Sequence, residues 1–177
     1  NIKLFVCCHQ ACEVPQNHLL VPIQVGATLS DERFPDFLSD DAGEDNISSK
    51  NRSYCELTAQ YWAWKHAEAD YYGFFHYRRY LYPNPGAKRP YRLEQAPSPE
   101  VLERLGYGQF EELIGQYDMI VPKGEDMHIP VWKHYAQAPF HHEEDLALTW
   151  KIILERYPEF IVAAESYLNG TICYFGN

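Results

Sequence analysis

Tyr71-Tyr72-Gly73-Phe74-Phe75-His76-Tyr77-Arg78-Arg79-Tyr80 runs from a short apolar stretch straight into three groups that can carry charge. An unbroken apolar run of strand length suits a parallel strand covered on both faces. In open parallel sheets, ligands lie beyond the carboxyl ends of the strands. His76, Arg78 and Arg79 follow such an end. Arginine offers N–H donors in a fixed fork that matches phosphate oxygens. Strand alternation would put His76 and Arg78 on one side and Tyr77 and Arg79 on the other. One arginine then meets ligand while its neighbour makes a structural pair. The competing reading stacks both on tyrosines and pairs them with acids from nearby loops.

Outward from this stretch, strands and helices alternate. Ile2 to Cys8 is a short apolar, β-branched run and reads as a buried strand. Val21 to Gly26 reads as a second extended piece, kept at an edge or outside the sheet by Pro22. Residues 30–53 are polar, and Asp40 to Asn46 reads as an exposed loop. Ser53 and Glu56 have capping-box spacing before a helix from Leu57 to His66. That helix has apolar residues on two faces, Leu57, Tyr61 and Trp64 on one and Cys55, Ala59 and Trp62 on the other, which predicts burial in the middle of the domain.

Further along, five prolines (Pro83, Pro85, Pro90, Pro97 and Pro99) stiffen a surface loop. Ser98 as N-cap, Pro99 at the first helical position and Gly106 past the end frame a short helix. Tyr117 to Val121 reads as a strand stopped by Pro122. Residues 142–157 carry Leu146, Trp150, Ile153, Leu154 and Tyr157 at helical spacing, and a second helix from Pro158 to Leu168 closes at Gly170. Thr171 to Phe175 begins another strand. This order predicts an α/β fold with a mainly parallel sheet flanked by helices. The 177 residues are expected to form a single domain, cut short at its C-terminus.

Composition narrows the function. A net charge of −10, from 25 acids against 15 bases, argues against a nucleic-acid partner. Lys88, Arg89 and Arg92 form the one dense basic stretch, enough for a diphosphate and too small for a duplex. No apolar run approaches the roughly 20 residues that span a bilayer. Five cysteines, Cys7, Cys8, Cys12, Cys55 and Cys173, show no disulfide framework. Cys7, Cys8, His9 and Cys12 invite a zinc reading, but no second ligand pair stands at zinc-site spacing. Free thiols and no metal are expected. The strand-end rule also selects His9. Lys50 and Asn51 precede a helix N-terminus, where anions are favoured. Glu56 serves as the capping acid or lines the site. His142 and Asp145 stand one turn apart and could supply acid–base chemistry, against the plainer reading of helix-start residues.

Several blocks together resemble the DUF4422 family. They are Val21 to Ala27, Asp45 to Asn51, Tyr54 to Lys65 (with its CELTA-x-YW-x-WK core), His76 to Tyr80, and Tyr117 to Pro122. The match runs in order through nearly the whole chain. Members of that family are usually associated with bacterial capsular and exopolysaccharide biosynthesis and with glycosyl transfer. The resemblance therefore implies a GT-A-like nucleotide-diphospho-sugar transferase, cytoplasmic, at the inner face of the cell membrane. It would act on a nucleotide-sugar donor, UDP-linked, and a saccharide or lipid-linked saccharide acceptor. Many such enzymes hold manganese or magnesium on a strand-end D-x-D. Here His76-Tyr77-Arg78-Arg79 stands in that place, and arginines would neutralise the diphosphate instead. On this reading His9, Lys50, Asn51, Glu56, His76, Arg78 and Arg79 bind the donor, and His142 and Asp145 are the catalytic candidates. The alternative is a non-catalytic carbohydrate- or nucleotide-binding module in a polysaccharide assembly complex.

Overall fold

The computed structural model describes residues 1–81, 83 and 97–174. Its elements in chain order are β1 (Ile2–Cys8), β2 (Leu20–Gln24), β3 (Leu38–Ser39), α1 (Asn51–Tyr54), α2 (Leu57–His66), β4 (Tyr71–His76), α3 (Pro99–Arg104), α4 (Phe110–Ile114), β5 (Glu125–Asp126), α5 (Val131–Gln137), α6 (Glu143–Arg156), α7 (Ile161–Asn169) and β6 (Ile172–Cys173). The chain divides into two compact units, one over Asn1–Ile120 and one from Val121 onward.

The first unit holds a four-stranded sheet in the order β3-β2-β1-β4, and every pairing in it is parallel. β1 is central, and alternation along it sorts its side chains into two layers. Leu4, Val6 and Cys8 join Phe75, Leu102, Tyr107 and Phe110 on one face. Phe5 and Cys7 join Ile23, Val25, Ala59, Trp62 and Ala63 of the α2 layer on the other. Small residues at 58, 59 and 63 let α2 sit close to the sheet, with the Trp62 indole N–H donating to the Ala42 carbonyl at 2.8 Å. In the middle of the sequence, α3 begins as its spacing predicts: Pro99 follows Ser98, whose hydroxyl accepts from the Val101 N–H.

Several expectations are overturned. β4 lies at the edge of the sheet rather than inside it, and of its residues only Phe75 and His76 are buried. β2, by contrast, is an inner strand despite Pro22. The Val25 N–H donates to Cys8 on β1, whereas the Gln24 carbonyl accepts from Asp40 beyond β3. By alternation the nitrogen of Pro22 faces the β3 side, and β3 is so short that it pairs only with Ile23 and Gln24. The missing donor therefore costs no ladder bond.

The capping box does not form. Ser53 lies inside α1, Cys55 turns the chain at φ 47°, and Glu56 precedes α2 without a side-chain cap bond. Nor is α2 buried on both faces. Leu57 and Trp64 are exposed, at 51% and 70%. Lys65 covers the Trp64 ring with its Nζ 4.0 Å from the centroid, and the Tyr61 hydroxyl donates to Asp45 at 2.7 Å. Residues 117–121 form no strand. Tyr117, Met119 and Val121 point to solvent, leaving Ile120 to pack on the core.

In the second unit, β5 and β6 pair antiparallel, and α6 and α7 occupy the expected ranges. No residue of α6 or α7 is buried. Among the described residues no helix is long and apolar enough to cross a membrane. Most of the proline-rich stretch, with Lys88, Arg89 and Arg92, lies outside the described residues, as does Phe175.

Candidate functional site

Because all sheet pairings are parallel, the carboxyl ends of β1, β2 and β4 come out on one edge of the first unit. β1 delivers His9, β2 delivers Gly26 and β4 delivers His76. The alternation expected for residues 76–79 does not continue past the strand. The Arg79 N–H donates to the His76 carbonyl at 2.8 Å and closes a tight turn, while the Tyr77 N–H donates to the Cys7 carbonyl at 3.2 Å. His76 is consequently buried, and both Arg78 and Arg79 are exposed.

The turn builds a ring cluster. Tyr77 lies 4.4 Å from the His76 ring and meets His9 edge-on at 5.2 Å. The Arg78 guanidinium stands over the Tyr77 ring at 5.1 Å, which orients it while its N–H fork faces solvent. The Arg78 backbone N–H donates to Nδ1 of His76 at 3.1 Å, so the neutral imidazole carries its proton on Nε2. Burial holds the His76 pKa below its ordinary value, opposed by the negative charge of Glu56 and aided by the nearby cations. Glu56 also acts on Cys7, whose thiol is pushed up to about 12, first by burial and then by that carboxylate. Free of any capping bond, Glu56 thus stands within electrostatic reach of the ends of both β1 and β4.

The β2 end is ordered by a residue that the loop reading of 40–46 missed. Asp40 is fully buried. Its carboxylate accepts from the backbone N–H groups of Gly26 at 2.7 Å and Ala27 at 3.0 Å, and from the Ser48 hydroxyl. Gly26 takes the left-handed conformation at φ 67°, and a Cβ there would fall 2.7 Å from Oδ1 of Asn51. Asn51 is itself held, since its Nδ2 donates to the Cys55 carbonyl at 2.8 Å and to Thr58 Oγ1 at 3.1 Å. It braces the chain turn at Cys55. Lys50 is exposed just before α1, a helix of one turn. No strand is read at 38–39 from the sequence, so nothing local signals the burial of Asp40, which depends on β3 and Ser48.

His142 and Asp145 belong to the second unit. Both are exposed; His142 is the N-cap position of α6 without a cap bond from its side chain, and Asp145 lies in the acidic first turn. Among the described residues no group of three or more His, Cys, Asp or Glu side chains is gathered to hold a metal ion. The donor set at the β4 end, imidazole and guanidinium, does not suit a hard divalent cation on a diphosphate.

An open parallel sheet flanked by helices is the architecture of a GT-A-like α/β domain, and here a cationic, aromatic turn stands at its carboxyl edge. The solved apo structure of the bifunctional glycosyltransferase WbbM is similar over 99% of this chain, with a TM-score of 0.90 and 28% identity. The chain spans 33% of that protein's length. No curated protein matches it. The chain belongs to the DUF4422 family, a domain of unknown function whose model matches residues 3–177.

Proposed function

We propose that this chain is a glycosyltransferase domain that moves a sugar from a nucleotide-sugar donor, UDP-linked, to a growing bacterial surface polysaccharide. The observation that carries the reading is the similarity of nearly the whole chain to a solved glycosyltransferase. The exposed Arg78, steadied on Tyr77 at the sheet's carboxyl edge, adds chemistry to it. In the proposed reaction an acceptor hydroxyl attacks the anomeric carbon, the bond to the diphosphate breaks, and the nucleoside diphosphate leaves. Arg78 and Arg79 neutralise the charge that develops on that leaving group. His9 frames the base, and the buried neutral His76 and Glu56 line the same edge, with Lys50 and Asn51 at its margin. His142 and Asp145 are assigned acid–base or acceptor contacts in the second unit. The acceptor is a saccharide or lipid-linked saccharide, met at the cytoplasmic face of the membrane.

The test is UDP and UDP-sugar affinity by calorimetry. Losing a charged hydrogen bond to phosphate costs roughly 1.5–3 kcal/mol, or about tenfold to a hundredfold in affinity. Arg78→Ala and Arg79→Ala should each show a loss of that size, and Arg78→Lys should recover only part of it. Folded variants that bind as tightly as wild type would return the turn to a structural role. A second reading, a non-catalytic binding module, is supported by the strand end that carries His76-Tyr77-Arg78-Arg79 in place of a D-x-D pair. Donor hydrolysis, measured with and without added divalent metal, separates the two, since a module binds donor without turning it over.

A further inference from the structure

Cys8 closes β1, and Cys12 lies in the segment that leaves it. The Cys12 thiol donates to Cys8 Sγ at 3.3 Å, so the two sulfurs already touch. Cys7 faces the opposite layer and is held away from this pair by strand alternation. Cys8 is fully buried and Cys12 is half-buried, so an oxidant in solution meets Cys12 first. The Tyr80 hydroxyl is buried in the same cluster as both cysteines and has no hydrogen-bond partner among the described residues. Burial, and after it the neighbouring Cys12, hold the Cys8 thiol protonated at rest, so Cys8 is the resolving partner rather than the first to react. The three residues between the cysteines include His9, whose ring packs on Tyr77.

We propose that Cys8 and Cys12 form a reversible dithiol–disulfide modification site, and that closing the bond re-poses His9 at the carboxyl edge of the sheet. The oxidant is a low-molecular-weight disulfide such as glutathione disulfide. Cys12 Sγ, as thiolate, attacks one of its sulfurs and expels a glutathione thiolate, leaving a mixed disulfide on Cys12. Cys8 Sγ, on losing its proton, then attacks Cys12 Sγ and expels the second glutathione. Two protein thiols give up two electrons and two protons, which leave as two molecules of glutathione in place of the disulfide.

The experiment treats the fully reduced chain with glutathione disulfide and maps its peptides by mass spectrometry. The expected product is a Cys8–Cys12 bridge, lighter by the mass of two hydrogens and restored by dithiothreitol. Cys8→Ser should trap the glutathione adduct on Cys12. Wild-type protein that stops at that adduct, or a bridge that joins any other pair, overturns the site. The His9 ring signals in proton–carbon NMR, assigned with His9→Ala, should shift on oxidation and return on reduction. Unmoved signals in the bridged protein overturn the re-posing of His9. Neither readout depends on whether the protein binds UDP.

Discussion

α2 is predicted with apolar residues on two faces and α6 with a single apolar stripe, and the two meet different fates. α2 buries Thr58, Ala59, Trp62 and Ala63 against the sheet, whereas α6 buries none of its residues, with Leu148 at 56% and Leu154 at 46% exposure. The residues that bring α2 down are mostly small, so backbone and strand approach closely and one indole fills the remaining gap. The α6 stripe is made of bulky side chains. In the second unit only Val131 and Cys173 are buried apolar residues among those described. A helical stripe therefore reports a capacity for burial, while small residues within it report how close the helix can come.

This contrast should show first in stability. Trp62→Ala is expected to cost about 3–5 kcal/mol, as for large aromatic truncations in packed cores. Leu154→Ala should cost less than about 1 kcal/mol, since its side chain is already wet. Urea unfolding of both variants checks this, and equal losses would break the comparison between the units. Next in size is the clamp at the β2 end. Asp40→Ala strands two backbone N–H groups and a hydroxyl in the interior, so about 3 kcal/mol should be lost. Asp40→Asn, which still offers one acceptor, should lose less, read from the same unfolding curves. Gly26→Ala follows at about 1–2 kcal/mol, because an alanine must take the left-handed conformation and push on Asn51. Gly115→Ala is its control: a Cβ there makes only ordinary contacts, at 3.7 Å or more, and the expected change is within about 0.5 kcal/mol.

The smallest effect is one of pH. Burial depresses the folded-state pKa of His76 below its ordinary value of about 6.5, so the unfolded chain takes up the proton first. The contribution of this group is fully present above about pH 6.5 and declines as pH falls below it toward the folded value. His76→Gln should flatten that part of the stability profile, measured by urea midpoints across the acid range. A profile with unchanged slope would remove His76 from the account.

Much of both units was legible because the signals were local. β1 is an apolar, β-branched run, α3 has its Ser-Pro start, and α6 and α7 have their spacing and a closing glycine. What escaped depended on partners distant in sequence. Pro22 reads as an edge residue until β3 proves too short to need its nitrogen. Ser53 and Glu56 read as a box until Cys55 turns the chain between them. Tyr117 to Val121 looks like a strand, but a strand exists only where another edge accepts it. The candidate site divided in the same way. His76 and the arginines follow from strand-end position, whereas Asp40 sits in what reads as a solvated acidic loop, and its burial is set by the β2 turn and Ser48.

That buried aspartate has a consequence for where a ligand can dock. Two adjacent N–H groups at a strand end make a small electropositive cup, the kind of feature to which phosphates are drawn. Here the protein keeps the cup filled with its own carboxylate, an internal counterfeit of the anion. On the proposed donor site, a diphosphate reaching the sheet edge would find that berth taken, and the exposed guanidinium of Arg78 would be left to draw it. The proposed address of the ligand would thus be written partly by closing the wrong door.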